Sequence, residues 1–175
     1  LTQFCQRTGL DRAGVESLLS IETCAPMASP HVVGLAPASA ARYGSVYINA
    51  GQEPVLGIAS TGGGHQLSNA TDDHFDRIQR MVRLSRWLEL PFDETDRILD
   101  AALFAEHGDA GRGAAISENT LRALGLFRRL RRDFKVRAED FAAVLNGVAL
   151  YGRGTVPPQF DRVFNDPALF SEPLV

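Results

Sequence analysis

The stretch FDRIQRMVRLSRWLELPFDETDRIL, residues 75–99, joins two amphipathic patterns across a proline. Phe75, Ile78, Met81, Val82 and Leu88 recur at the spacing of one broad helical face. Thr71 stands ahead of this run as an N-cap, with Asp72 and Asp73 in the first turn opposing the positive end of the helix dipole. Pro91 stops the first helix. Asp93 is expected to cap the second, with Asp96 three residues on in the manner of a capping box. The stretch therefore predicts a helical hairpin.

Working outward, the hairpin recurs. When Leu1, Met81 and Phe127 are aligned, Phe4 falls with Leu84 and Leu130, and Leu10 with Leu90 and Val136. Leu18, Ile98 and Val144 then coincide, as do Leu19, Leu99 and Leu145. In each copy a helix ends near the third position, a short turn follows and a second helix begins. The copies start 80 and 46 residues apart, so they are hairpins with insertions rather than a fixed-period solenoid. Between the second and third copies EHGDAGRGAAISEN reads as a loop, with Ser117 capping the next helix.

Charge divides the chain. Within 24–71 only Arg42 and Glu53 are charged, and the other 37 charges lie in the flanks. Inside this charge-poor insertion, YGSVYINA and PVLGIAS predict a β-hairpin of residues 45–49 with 55–59, and STGGGHQLSNAT a flexible return loop. The expected fold is mainly α: recurring helical hairpins in an orthogonal, irregular bundle, interrupted by this insertion. The expected parts are a first helix pair (1–23), the insertion (24–71) and a helical remainder (72–175), together one piece of an α-helical domain.

A chain of 175 residues and net charge −3 can bury a real core and makes no overall electrostatic case for nucleic acid. Any such case is local. Arg77, Arg80, Arg83 and Arg86 recur every third residue, but that spacing drifts by about 60° per step and spreads them over half the helix. Asp73 and Asp76 stand four residues before Arg77 and Arg80 and are expected to pair with them. The denser cluster is RRLRRDFKVR, residues 128–137, with six cations and one Asp. Leu130, Phe134 and Val136 in it are expected core positions, and the following EDFAAVLNGVALYG is too acidic and apolar for a DNA-reading helix.

TGGGH lacks the lysine and hydroxyl of a phosphate loop. His31, His65, His74 and His107 are scattered without metal-ligand spacing, and no GxSxG elbow occurs. No catalytic set, metal site or cofactor site is expected. Cys5 and Cys24 read as free buried thiols, with a disulfide closing the first helix pair as the alternative. No signal peptide is visible and no segment reads as a membrane span. The absence of a starting Met and the apolar ending ALFSEPLV are those expected of a fragment.

Four blocks carry a resemblance in order along the chain: YGSVYIN, HFDRIQRMVRLSRWLELPFDETDRIL, NTLRALGLFRRLRRDFKVRAEDFAAVLNGVALYG and PPQFDRVFNDPALFSEP. They closely resemble the large A component of bacterial Tc toxin complexes, in the region related to the Salmonella virulence-plasmid A protein. The resemblance covers most of 43–175. It implies a non-catalytic segment of the helical shell of a homopentameric prepore, secreted or held at the bacterial cell surface. The implied partners are neighbouring domains and protomers of the A component, with B and C components docking on the whole and other domains meeting the host cell. The resemblance implies no membrane contact by this stretch. The competing expectation is a nucleic-acid-binding helical module that uses residues 128–137.

Overall fold

A computed structural model of the chain describes residues 1–62, 64–109 and 115–169. Among these residues there are eight helices and two pairs of short antiparallel strands, so the fold is mainly α as expected. The first hairpin is α1 (Thr2–Thr8) and α2 (Arg12–Leu19), the second α4 (Asp72–Leu88) and α5 (Phe92–His107), and the third α6 (Glu118–Phe134) and α7 (Ala138–Asn146). Part of the loop expected between α5 and α6, and the end of the last resemblance block with the apolar ending, fall outside the described residues.

One turn geometry serves all three hairpins. Gly9, Glu89 and Lys135 occupy the same repeat position and adopt left-handed backbone, with φ of 72°, 57° and 59°. Each donates its N–H back to a carbonyl in the last turn, which closes the helix end. The next residue in each copy, Leu10, Leu90 or Val136, drops back onto the core. Thr71 and Ser117 cap α4 and α6 through their hydroxyls, each in a reciprocal capping box.

The repeat is a packing grammar. Of its fifteen apolar positions, fourteen lie in or against one core. Val144 is the exception at 85% exposed, whereas its counterparts Leu18 and Ile98 are 1% and 0% exposed. Phe134, expected in the core, is 73% exposed, because it sits at the last residue of α6 and faces away from the bundle. The central element is α5. It packs most extensively on α7 and also touches α2, α3, α4 and α6.

The insertion departs from its reading. YGSVYIN does not form a strand: Val46–Asn49 is a single buried helical turn, α3. Its β-branched residues suggested extended chain, but tertiary partners hold it. Ser45 Oγ donates to the Leu19 carbonyl at 3.0 Å, Asn49 Nδ2 donates to Ser45 Oγ at 2.9 Å, and Leu56 N–H donates to Asn49 Oδ1 at 2.9 Å. The hairpin forms further along, from β2 (Gly57–Thr61) and β3 (Gly64–Ser68), with Ile58 opposite Leu67 and Ser60 opposite His65. The glycine-rich stretch read as a return loop is thus the turn and second strand of that hairpin.

A second strand pair also escaped the sequence. Tyr151–Arg153 is β4 and pairs with β1 (Pro26–Ala28), placing Met27 opposite Gly152. The run EDFAAVLNGVALYG therefore stops being helical at Asn146, where Gly147 takes φ 84°. Gly152 allows the chain to fold back on itself, since a Cβ there would collide with the Val156 carbonyl. A short helix, α8 (Gln159–Phe164), follows. Cys5 and Cys24 are free and half-buried rather than fully buried.

Candidate functional site

The charged side chains show where this chain has chemistry to offer. Asp96 does not cap α5, whose N-cap is Pro91 with no side-chain bond. A turn further in, its carboxylate accepts Val46 N–H at 2.8 Å and Tyr47 N–H at 3.0 Å, so it serves the first amides of α3 instead. Burial pushes the Asp96 carboxyl up to about 7, against the two amide bonds that favour its charge. Asp93, the expected cap, pairs at 3.0 Å with Arg153. Arg153 also donates to the carbonyls of Cys24 and Ser17, which ties β4 to the first hairpin.

Glu139 is the second node. Three guanidiniums converge on it: Arg162 from α8, Arg137 at 3.0 Å and Arg97 of α5 at 3.3 Å. The Arg162 bonds lead in holding its carboxyl below the usual range. Arg97 also lies over the Tyr43 ring, 5.0 Å from its centre. Between α5, α7 and the Tyr43–Tyr151 ring pair is a small cavity of about 190 Å³, lined in part by Asp96, Arg97 and Gln159.

Of the four arginines that recur every third residue, three hold structure together. Arg77 binds Asp73 at 2.9 Å and the Tyr47 carbonyl at 2.8 Å; Arg80 pairs with Asp76; Arg86 reaches the Thr8 carbonyl at 3.1 Å. The cluster at 128–137 is partly spent in the same way. Arg131 donates to the carbonyls of Leu88 and Glu89 at 2.9 and 3.0 Å and so closes the end of α4. Arg128 lies over Trp87, 5.5 Å from the ring centre. Arg129 and Arg132 share Asp133, and Arg137 grips Asp140. All six cations of the run line one open groove of about 1290 Å³ between α6, the α4–α5 turn and the start of α7.

The histidines have separate partners. His74 is buried in the α4 capping box, and His65 meets Ser60 across β2 and β3. His31 and Ser29 come together with Asp161 from far along the chain, at 3.0 and 2.7 Å. This trio is not a nucleophile relay: the Ser29 hydroxyl donates to the carboxylate itself, not to the imidazole. Burial alone would raise the Asp161 carboxyl, but the bonds from Ser29, His31 and Asn165 outweigh it and lower it. Among the described residues no group of three or more His, Cys, Asp or Glu is placed to hold a metal ion. No helix among them is long and apolar enough to cross a membrane.

Asp96, Glu139 and Arg153 were missed in the sequence. Asp96 carried a misleading signal, its place near a helix start. The other two carried none, since their partners are set by tertiary packing.

No family model and no solved structure matches the chain. The toxin subunit YenA1 of Yersinia entomophaga is 31% identical to it over 186 aligned residues, which take in 100% of this chain. The chain spans 16% of that relative's length. Similarity that runs through the charge-poor insertion as well as the helical hairpins is more than the shared periodicity of helices can produce, and it agrees with the four ordered blocks: the chain is a region related to the A component of Tc toxins.

Proposed function

We propose that this chain is a non-catalytic structural segment in the helical shell of a Tc toxin A component, a toxin protein that assembles as a pentameric prepore for host-cell binding and toxin translocation. The whole-length similarity to YenA1 carries this reading. The use of charge supports it: Arg77, Arg86, Arg131 and Arg153 are spent on main-chain carbonyls of neighbouring elements, as a wall requires. On this reading residues 1–23, 24–71 and 72–175 are parts of one α-helical shell domain. It needs no cofactor or metal. Its partners are adjoining domains and protomers, with B and C components meeting the assembled whole, and the parent protein is secreted or surface-held.

Negative-stain electron microscopy of the full-length parent tests the reading. Pentameric bell-shaped particles are expected, and a parent that stays monomeric without a bell overturns it. The nucleic-acid reading retains one observation, the exposed heads of Arg129 and Arg132 at 75%. A salt titration with duplex and single-stranded DNA decides it. Affinity that falls steeply with salt supports that reading, and no binding at low salt ends it.

A further inference from the structure

The groove along α6 holds more cations than the carboxylates paired with them. Eight cations line it: the six of 128–137 with Arg97 and Arg162. Four carboxylates line it too, Glu89, Asp93, Glu94 and Glu139. The lining is thus net +4, and with Asp133 and Asp140, which pair with Arg129, Arg132 and Arg137 beside it, the patch is still net +2 on a chain of net −3. Three of the four carboxylates are committed: Asp93 to Arg153, Glu139 to its three arginines and Glu89, at 3.9 Å, to Arg128. Arg131 and Lys135 bond to main-chain carbonyls, and Arg129 and Arg132 divide a single aspartate. Charge is segregated here, and segregated charge steers a partner of the opposite sign.

We infer that this groove docks an acidic segment of a neighbouring protein surface, with glutamates or aspartates against Arg128, Arg129, Arg132 and Lys135. At about 1290 Å³ the groove exceeds the roughly 300–1000 Å³ of a small-molecule site. The part of α6 that lines it, Gly125 onward to its cap at Lys135, runs about 15 Å, the length of about five extended residues. Guanidinium forks match carboxylates in bidentate fashion, and Trp87 and Val156 offer apolar surface beside them. A nucleic acid fits less well, because its regular row of phosphates meets Glu89 and Glu94 on the groove wall, whereas a protein segment can place neutral or basic side chains there. The inference deepens the shell reading, on which it rests for the neighbour being another part of the same toxin.

Trp87 is the chain's single tryptophan and lies in the groove under Arg128, so it reports occupancy directly. The test titrates the 175-residue chain at low salt with a heptaglutamate peptide, following Trp87 emission and the anisotropy of labelled peptide. Heptalysine and a single-stranded DNA heptamer serve as competitors in kind. Saturable heptaglutamate binding is expected, weakened at least tenfold by the double variant R129E/R132E. R122E is expected to leave it unchanged, since Arg122 is on α6, 70% exposed and outside the groove. Circular dichroism melts confirm that these exposed variants stay folded. Absence of saturable binding, DNA binding as tight as the peptide, or an equal loss in R122E overturns the inference. If the parent forms pentamers while the peptide does not bind, the groove inference falls and the shell reading stands. If the peptide binds and the parent stays monomeric, the acidic partner stands and its origin in the toxin falls.

Discussion

The second and third helical hairpins share one sequence pattern and one turn, yet they live in different surroundings. In the second, Met81, Leu84, Leu90, Ile98 and Leu99 are all buried. In the third, Phe127 is buried, Leu130, Val136 and Leu145 are partly covered, and Val144 stands in solvent. The pattern therefore encodes how a hairpin closes on itself. How deeply it is buried depends on what lies outside it. The second hairpin is covered on its far side by α2 and α3, whereas α7 of the third packs chiefly on α5 and leaves Val144 85% exposed.

That contrast is sharpest at one repeat position. Ile98→Ala should cost about 2–5 kcal/mol by opening a cavity in the core. The equivalent Val144→Ala should shift stability by no more than about 0.5 kcal/mol. Urea unfolding midpoints compare the two, and equal losses would break the contrast.

The clasp between the hairpins comes next. Glu139→Ala should cost about 2–4 kcal/mol, because it leaves the half-buried Arg97 without its carboxylate. The Glu139 carboxyl is held low, chiefly by Arg162, so its contribution is present above its ordinary 4.5 and disappears as pH falls through the lowered value. Thermal melts of the protein and the variant should therefore converge in acid.

Asp96 has the opposite sign. In acid, below the window of its titration, Asp96→Asn should cost about 1–3 kcal/mol, since an amide nitrogen replaces one of the two oxygens that accept the α3 amides. Its carboxyl is raised from 3.8 to about 7, with nearby Asp100 adding to the burial effect. The folded chain thus holds a proton that the unfolded chain has released between these values. Its contribution is full below pH 3.8 and falls as pH rises towards 7, by up to about 1.4 kcal/mol per pH unit. The stability gap between the protein and D96N should narrow across that window. A gap that widens would mean that the amide bonds outweigh desolvation.

A smaller effect, and a gain, concerns the turn. Glu89 holds a left-handed conformation that Gly9 adopts freely at the same place in the first copy. Glu89→Gly should stabilise the chain by about 0.5–1 kcal/mol, read as a higher unfolding midpoint.

Local signals were legible. Thr71 and Ser117 cap as read, the pairs Asp73–Arg77 and Asp76–Arg80 form as read, and nearly every repeat position lies in or against the core. These features depend on residues three or four apart, which one helix brings together without help. The insertion was misread because VYIN has the composition of a strand and is held as a helical turn by Asp96, some fifty residues away. The site was read as a list of arginines. Which of them are spent on carbonyls and which remain open depends on where the end of α4 meets α6.

By itself the sequence determined the helical hairpins, their turns and caps, and the inward face of each, because a helix repeats its neighbours every 3.6 residues. It also determined the kinship with Tc toxin A components, through ordered blocks that no periodicity requires. Only the tertiary structure decided that Asp96 braces α3, that three arginines close on Glu139, and that the run at 128–137 forms one wall of a groove. Those outcomes join groups far apart in the chain. Their energies come from burial and charge pairing in space, which spacing along a sequence does not record.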